Sequence, residues 1–178
     1  MNADSRCFID TNILLYIFSA EGDKASQAET VLNLGGTISV QVLNELTNVM
    51  RRKFAMSWDD VHAALALIKS LLDVKPLTLP VHEHGLALAQ RYTLSIYDSM
   101  IVAAALEAGC DILWSEDMQH GMAVEGLTIC NPFMSPQDLS AWRETAYLRS
   151  SPRNAQRINE AIAELQANGG QARDLIDD

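Results

Sequence analysis

Four acidic residues are placed where their carboxylates could act together on one charged ligand. Three of them stand where an apolar strand-like run ends or a helix begins, and the fourth lies inside an otherwise apolar helical segment; in that order they are Asp10, Asp98, Asp117 and Glu45. Carboxylates avoid apolar surroundings unless something compensates their charge. Four of them meeting at one sheet edge would require a divalent cation, and a divalent cation beside a cleft suggests phosphate chemistry.

Each acid taken alone also has an ordinary structural explanation. Asp10 and Asp117 each follow a short apolar run, and Asp is common in strand-to-helix turns, although the end of a first parallel strand is also where α/β sheets bind ligands. Asp98 suits the N-cap of an alanine-rich helix, a position that Ser99 would fill equally well. Glu45 adjoins an apolar helix face but could be a solvated surface residue. The four together are much harder to dismiss than any one of them.

Neighbouring polar residues fit the same kind of site. Thr11, Asn12 and Ser115 adjoin these acids along the chain, and their side chains can donate hydrogen bonds that fix a carboxylate. Hard cations such as Mg²⁺ take oxygen ligands, bind phosphate oxygens and stabilise the in-line displacement of a leaving oxygen. These residue types therefore predict a cation-dependent hydrolase that acts on phosphate esters.

Other reaction classes fit the sequence poorly. It has no GxSxG, GxGxxG or GxxxxGK[ST] motif. Its histidines are scattered without the spacing of zinc ligands, so we expect them to be mostly solvated; they are His62, His82, His84 and His120. A phosphatase of the receiver or haloacid type is a weaker option, because Asp10 lacks a second acid two residues later.

The elements that must position these residues alternate between strand-like and helical patterns, which predicts an α/β fold with a largely parallel central sheet. A helix is predicted to begin after Ser57, an N-cap with Asp60 three residues later, and glycines are predicted to end two other helices. The predicted strands are residues 6–10, 37–40, 77–79, 112–114 and 127–129, and the other helices before residue 133 are 13–19, 24–34, 41–53, 81–91 and 98–108.

Composition narrows the setting. The chain has 178 residues, 48% of them hydrophobic, which suffices for one core with a small appendage. The net charge of −10 argues against broad electrostatic adhesion to nucleic acid, unless the negative charge is concentrated at a metal site. No apolar stretch approaches the length of a membrane span, and the N-terminus lacks the pattern of a secretory signal. Three cysteines in apolar runs are expected to be reduced and buried, so we expect a cytoplasmic protein.

Four segments in order resemble PIN-domain proteins, most closely the VapC-type toxins of bacterial toxin–antitoxin pairs: 8–13, 42–46, 97–105 and 113–118. The resemblance covers residues 6–133. It implies a PIN-like three-layer fold and a Mg²⁺- or Mn²⁺-dependent endoribonuclease, usually a homodimer, whose acidic site is Asp10, Glu45, Asp98 and Asp117. Ser115 stands where the last motif usually has Thr, and it keeps the hydroxyl.

Residues 134–178 depart from that pattern and resemble the C-terminal part of a Phd/YefM-like antitoxin, in segments 144–148, 151–155 and 171–176. We therefore predict a nuclease domain over 1–133 and a helical neutralising segment over 134–178, joined by natural or engineered fusion. An arginine of that segment could bond the carboxylates through its guanidinium and replace the cation. The candidates, between which the sequence does not choose, are Arg149, Arg153, Arg157 and Arg173.

The sequence as a whole predicts a toxin that hydrolyses RNA phosphodiesters and is inhibited by its own antitoxin-like segment. The alternative is a non-catalytic, PIN-like protein-binding module with an ordinary helical extension. RNA cleavage that depends on a divalent cation separates the two.

Overall fold

The four acids belong to a domain built from a mostly parallel sheet flanked by helices. The computed structural model describes residues 6–19 and 22–134. Its strands are β1 Cys7–Ile9, β2 Thr37–Ser39, β3 Asp73–Lys75, β4 Ile112–Trp114, β5 Ala123–Val124 and β6 Leu127–Cys130. Their order across the sheet is β3-β2-β1-β4-β6-β5, and β5 alone among them pairs antiparallel. The predicted α/β class with a largely parallel sheet is confirmed.

The helices of the described residues all contribute apolar side chains to one core. They are α1 Thr11–Tyr16, α2 Gly22–Asn33, α3 Val40–Arg52, α4 Trp58–Leu71, α5 Leu79–Tyr92 and α6 Ile96–Glu107. Helix α6 is buried on every side over residues 99–105. Because those residues are packed into the core, the backbone at the preceding Asp98 is held in place.

Strand β1 lies between β2 and β4, and the residues that follow these three strands lie close together. It pairs in parallel with β2 on one side and β4 on the other, with Ile9 opposite Trp114. The amide of Asp10 extends this ladder by donating to the carbonyl of Trp114 over 2.9 Å. Since parallel strands end at the same edge of a sheet, the residues that follow β1, β2 and β4 are neighbours. Asp10, helix α3 and Ser115 are those residues.

One predicted strand is wrong and two short strands, β3 and β5, were missed. Residues 77–79 were predicted to form a strand, but β3 ends at Lys75, because Pro76 has no N–H with which to continue the ladder. The hydroxyl of Thr78 instead accepts from the amide of Val81 and caps α5. Strand β5 forms a tight hairpin with β6 through residues 125 and 126, which both have positive φ.

Helix starts also differ from the sequence prediction. Helix α6 begins at Ile96, two residues earlier than predicted, since the hydroxyl of Ser95 accepts from the amide of Asp98 over 3.1 Å. Neither Asp98 nor Ser99 is the cap, and the Asp98 side chain is left for another role. Gly109, with φ of +64°, follows the end of this helix as predicted. The predicted Ser57 cap of α4 is confirmed as well.

Two further predictions can be compared with the structure. All three cysteines are free, with Cys110 buried and the other two partly buried. Among the described residues, no helix is long and apolar enough to cross a membrane. The predicted neutralising segment, from residue 135 onward, lies outside the described residues.

Candidate active site

Asp10 is the centre of the site and is almost fully buried, with 4% of its surface exposed. It caps helix α1: one carboxylate oxygen accepts from the amide of Thr11 over 2.6 Å. The other accepts from the Ser115 hydroxyl over 2.7 Å and from the Asn12 side-chain amide over 3.0 Å. These three hydrogen bonds fix the orientation of the carboxylate, so both oxygens occupy defined positions.

Glu45 is brought to Asp10 by helix α3 and by Thr11. Its carboxylate accepts from the Thr11 hydroxyl over 2.9 Å and from the side-chain amide of Gln41 over 2.7 Å. The side chain is partly buried, on the border between the apolar face of α3 and solvent. Thr11 therefore links two acids, since its backbone donates to Asp10 and its side chain donates to Glu45.

Asp98 is, with Glu45, one of two carboxylates whose negative charge acts on Asp10. The pKa of Asp10 is raised from 3.8 to about 7; burial is the largest cause, the negative charges of Glu45 and Asp98 also raise it, and the Ser115 and Thr11 hydrogen bonds lower it. No basic group of the described residues is among the causes of this shift. The site thus holds more negative charge than the described part of the chain neutralises.

Asp117 differs from the other three acids in being exposed. Its charge is not among the groups that shift the pKa of Asp10. The preceding residue is engaged instead: the Glu116 carboxylate accepts from the Tyr16 hydroxyl over 2.5 Å and from Lys24 over 2.7 Å. Its amide donates to the side-chain carbonyl of Asn12 over 3.3 Å, which ties this cluster to the support of Asp10.

The donor set suits a hard divalent cation. Carboxylate oxygens held by hydrogen bonds, with uncompensated charge and no nitrogen or sulfur ligand among them, match the preference of Mg²⁺ and Mn²⁺ for oxygen. In the described ranges, no three Asp, Glu, His or Cys side chains are grouped closely enough to hold an ion between them. The arrangement therefore fits a hydrated ion that is bound through one or two carboxylates and keeps several waters.

Two parts of the site were not predicted from the sequence. Gln41 had a signal, because it lies four residues before Glu45 and so on the same helix face. The contact of Lys24 with Tyr16 and Glu116 joins three separate segments, and its ammonium also lies 4.5 Å from the Tyr16 ring centroid. No local pattern could have found it. The predicted inhibitory arginines lie outside the described residues.

Comparisons with known proteins identify the family of the domain and a relative of another part of the chain. A family model described as PIN domain matches residues 7–122. The chain is also 50% identical over 44 residues to the antitoxin YefM of Streptomyces coelicolor. That stretch covers 25% of this chain and 51% of the antitoxin, so the chain spans about half the length of the curated relative it matches.

Two solved structures share the fold at low identity. A chain of a toxin–antitoxin complex from Klebsiella pneumoniae superposes with a TM-score of 0.56 at 22% identity, covering 71% of this chain and 98% of that one. The Mycobacterium tuberculosis toxin VapC20, which cleaves the sarcin–ricin loop, superposes with a TM-score of 0.52 at 18% identity, covering 60% and 86%. At such identities the likeness concerns the fold alone.

Proposed function

The chain belongs to the PIN-domain family, and from that premise we propose that it is a toxin of a toxin–antitoxin system. We propose that it cleaves phosphodiester bonds within RNA and needs a divalent cation to do so. A segment related to the YefM antitoxin is part of the same chain, and we propose that this segment inhibits the nuclease. The resemblances to both families that the sequence motifs predicted are confirmed.

The observation that carries the proposal is the buried Asp10 carboxylate beside two others. A pKa of about 7 means that, near neutral pH, half of such carboxyls would be protonated unless a cation compensates the charge. A structural carboxylate gains nothing from this arrangement, because burial and the like charges of Glu45 and Asp98 both destabilise its ionised form. A cation site does gain, since the same repulsion becomes attraction once Mg²⁺ or Mn²⁺ binds.

Each residue then has a defined task. Asp10 holds the cation together with Glu45 or Asp98, and the chemistry supplied by a bound Mg²⁺ or Mn²⁺ is charge stabilisation at the phosphodiester and activation of water. Ser115 and Asn12 orient the Asp10 carboxylate through the hydrogen bonds described above. Thr11 and Gln41 orient the Glu45 carboxylate in the same way. The residues that support the acids are therefore Thr11, Asn12, Gln41 and Ser115.

The described part of the chain ends close to helix α1. Strand β6 ends at Cys130, and Phe133 packs edge-to-face on Tyr16 with 4.9 Å between ring centroids. Tyr16 ends the short helix α1 that begins beside Asp10, so the chain leaves the domain near the carboxylates. An arginine among residues 149, 153, 157 and 173 could then occupy the site as a charge-assisted partner. We also propose a homodimer, in which the segment acts on its own or the neighbouring protomer.

The test uses the full chain with a protease site inserted after Met134, so that the domain folds with its segment attached. A structured RNA transcript is incubated with the intact protein and with the cut protein after the segment has been removed, each with Mg²⁺, with Mn²⁺ or with chelator. We expect cation-dependent cleavage by the cut protein, slower cleavage by the intact protein, and loss of cleavage in both for Asp10→Asn.

The outcomes separate the parts of the proposal. If the cut protein keeps its circular dichroism spectrum and melting temperature but cleaves no RNA with either cation, the nuclease assignment is wrong and the protein-binding module is favoured. If intact and cut proteins cleave at equal rates, the nuclease assignment stands and the inhibitory role is wrong.

A further inference from the structure

The carboxyl end of α3 and the start of α4 form a basic and aromatic surface that the carboxylate site does not use. We call it the Arg52–Trp58 surface, and its members are Arg51, Arg52, Lys53, Trp58 and His62. Trp58 is 56% exposed, although burial of a large aromatic ring is strongly favourable. The side chains of Arg52, Lys53 and His62 are exposed as well.

The charge of this surface opposes that of its domain. Residues 1–133 hold 8 Lys and Arg against 16 Asp and Glu, and three of those 8 basic residues are consecutive at 51–53. Basic residues at the end of a helix stabilise the helix dipole, which accounts for some of the positive charge. It does not account for an exposed indole placed beside that charge.

The indole is held in a fixed position. The Arg51 guanidinium lies 4.7 Å from the Trp58 ring centroid and also donates to the carbonyl of Met56. The His62 ring lies 6.2 Å away at 34° and widens the aromatic surface. A ring that is already ordered loses little conformational freedom on binding, which is what a stacking partner for a planar ligand requires.

Two acids of helix α4, Asp59 and Asp60, lie next to the Arg52–Trp58 surface in the sequence. The Asp60 carboxylate accepts from the Ser57 hydroxyl over 2.7 Å and is turned back to the cap of α4. Asp59 follows Trp58 in the helix and so projects about a quarter turn away from it. Trp58 and His62, four residues apart, share a face, and Asp59 lies at the edge of that face, three residues before His62.

Helix α3 connects this surface to the carboxylates. Arg52 follows Glu45 by seven residues, so the two lie on the same side of the helix about 10 Å apart along its axis. Asn48 is exposed between them on that side. A chain of phosphates that passes Glu45 could therefore continue along α3 to a positive charge and an aromatic ring.

Resting on the proposed ribonuclease function, we propose that the Arg52–Trp58 surface binds the RNA strand beyond the cleavage site. Arg52 and Lys53 contact phosphates, and an unpaired base stacks on Trp58. A basic group beside an ordered aromatic ring is the combination with which proteins bind single-stranded nucleic acid. The ligand class is thus single-stranded RNA, and the surface offsets the repulsion that an acidic domain exerts on it.

The test measures binding, so that it does not depend on cleavage. Fluorescence anisotropy follows a labelled single-stranded RNA of about 12 nucleotides, within the usual site size, with Mg²⁺ present and with Asp10→Asn as the parent protein. The variants are Arg52→Glu, Trp58→Ala and Trp58→Phe, in the intact chain and in the chain cut after Met134. The matched control is Lys69→Glu, an equal charge change at an exposed position near the other end of α4.

The expected results are specific to each variant. Trp58→Ala should raise the Kd about 5- to 20-fold, since one stacked base is lost, and Trp58→Phe should restore most of the affinity. Arg52→Glu should raise the Kd and reduce the slope of log K against log salt by about 0.7 for each phosphate contact removed. Lys69→Glu should leave the affinity and the slope close to those of the parent protein.

Other results would overturn the inference. Equal affinities for all variants, or no RNA binding by either form of the parent protein, remove the surface from RNA recognition. If the surface variants bind RNA more tightly than the parent only in the intact chain, the surface contacts the antitoxin-like segment instead. RNA binding without cleavage in the active protein would count against the nuclease assignment alone, and cleavage with unchanged binding would count against this surface alone.

Discussion

The two ends of helix α3 differ in nearly every physical property. In its first half, Glu45 is partly buried, accepts hydrogen bonds from Gln41 and Thr11, and adds negative charge to the surroundings of Asp10. At its carboxyl end, the half-buried Arg51 forms a cation–π contact with the exposed Trp58 at the start of α4. One helix therefore carries a site for a cation and a surface for an anion. The difference suggests that reaction and strand binding depend on separate residues.

The carboxylate site and the Arg52–Trp58 surface also differ in how many internal hydrogen bonds hold their side chains in place. Asp10 is tied to Thr11, Asn12 and Ser115, which come from α1 and from the loop after β4. Removing one member leaves a buried polar group without its partner, which is costly. The Arg52–Trp58 surface has solvent on its outer side, so water replaces what a substitution removes. Substitutions at the first end should change rate and stability, and those at the second should change binding.

The largest effect is expected from the acids themselves. Asp10→Asn should reduce RNA cleavage about 1000-fold or more, because the charge that holds the cation is worth several kcal/mol in the transition state. Asp117→Asn should reduce it about tenfold or less, since Asp117 is exposed. Initial rates of the cut protein at saturating Mg²⁺ measure both.

Glu45→Gln and Asp98→Asn should fall between these values and provide the scale. Equal losses of cleavage rate for Asp117→Asn and Asp10→Asn would mean that all four acids act as one unit. The exposure of Asp117 would then not indicate a smaller role.

The next effect concerns stability at the buried end. The pKa of Asp10 is about 7 in the folded protein against an ordinary 3.8, so the folded state binds its proton more tightly than the unfolded state does. Its contribution to stability is therefore complete below about pH 4 and is lost as the pH rises through about 7. In chelator, we expect the free energy of unfolding to fall by about 2–4 kcal/mol over this range. Urea unfolding at a series of pH values measures it.

Asp10→Asn is the control, because it removes the titrating group and should flatten the pH dependence. Mg²⁺ should restore stability to the parent protein above pH 7 but not to the variant. A parent protein whose stability in chelator rises between pH 4 and 7 would contradict the assignment of the raised pKa.

A smaller effect is expected at the link between the two acids. Thr11→Val keeps the backbone amide that donates to Asp10 and removes the hydroxyl that donates to Glu45. We expect cleavage to fall about tenfold, as for loss of one orienting hydrogen bond, with a change in unfolding free energy of about 1 kcal/mol or less. Thr11→Ser restores the hydroxyl and should recover most of the rate. A rate that Ser does not recover would place the effect in packing.

The sequence predicted the parts of this molecule that local chemistry decides. The strand before Asp10, the helix around Glu45 and the stop at Gly109 follow from apolar runs, helical spacing and a left-handed glycine. Strands β3 and β5 were missed because elements of three and two residues are defined by their pairing partners rather than by their own residues.

The site shows the same division. The carboxylates were identified individually, since charged residues at the ends of apolar runs are visible in a sequence. That Ser95 caps α6 and leaves Asp98 available depends on one hydrogen bond. The exposure of Asp117 and the contact of Lys24 with Glu116 depend on how the loop after β4 folds back on α1 and α2. Such long-range contacts have no signature in neighbouring residues.

The smallest effect is expected at the exposed end, and it decides how binding data are interpreted. Trp58→Ala removes a ring that is 56% exposed and one cation–π contact, so the free energy of unfolding should fall by about 1 kcal/mol or less. Val61→Ala, in the same helix but with its side chain fully buried, should cost about 1–3 kcal/mol, because it leaves a cavity. Urea denaturation of both variants makes the comparison. If Trp58→Ala costs as much as Val61→Ala, the indole is part of the fold, and weaker RNA binding by that variant would reflect a loosened α3–α4 pair. If Trp58→Ala hardly changes the free energy of unfolding but weakens RNA binding, contact with the RNA strand explains why this ring remains in solvent.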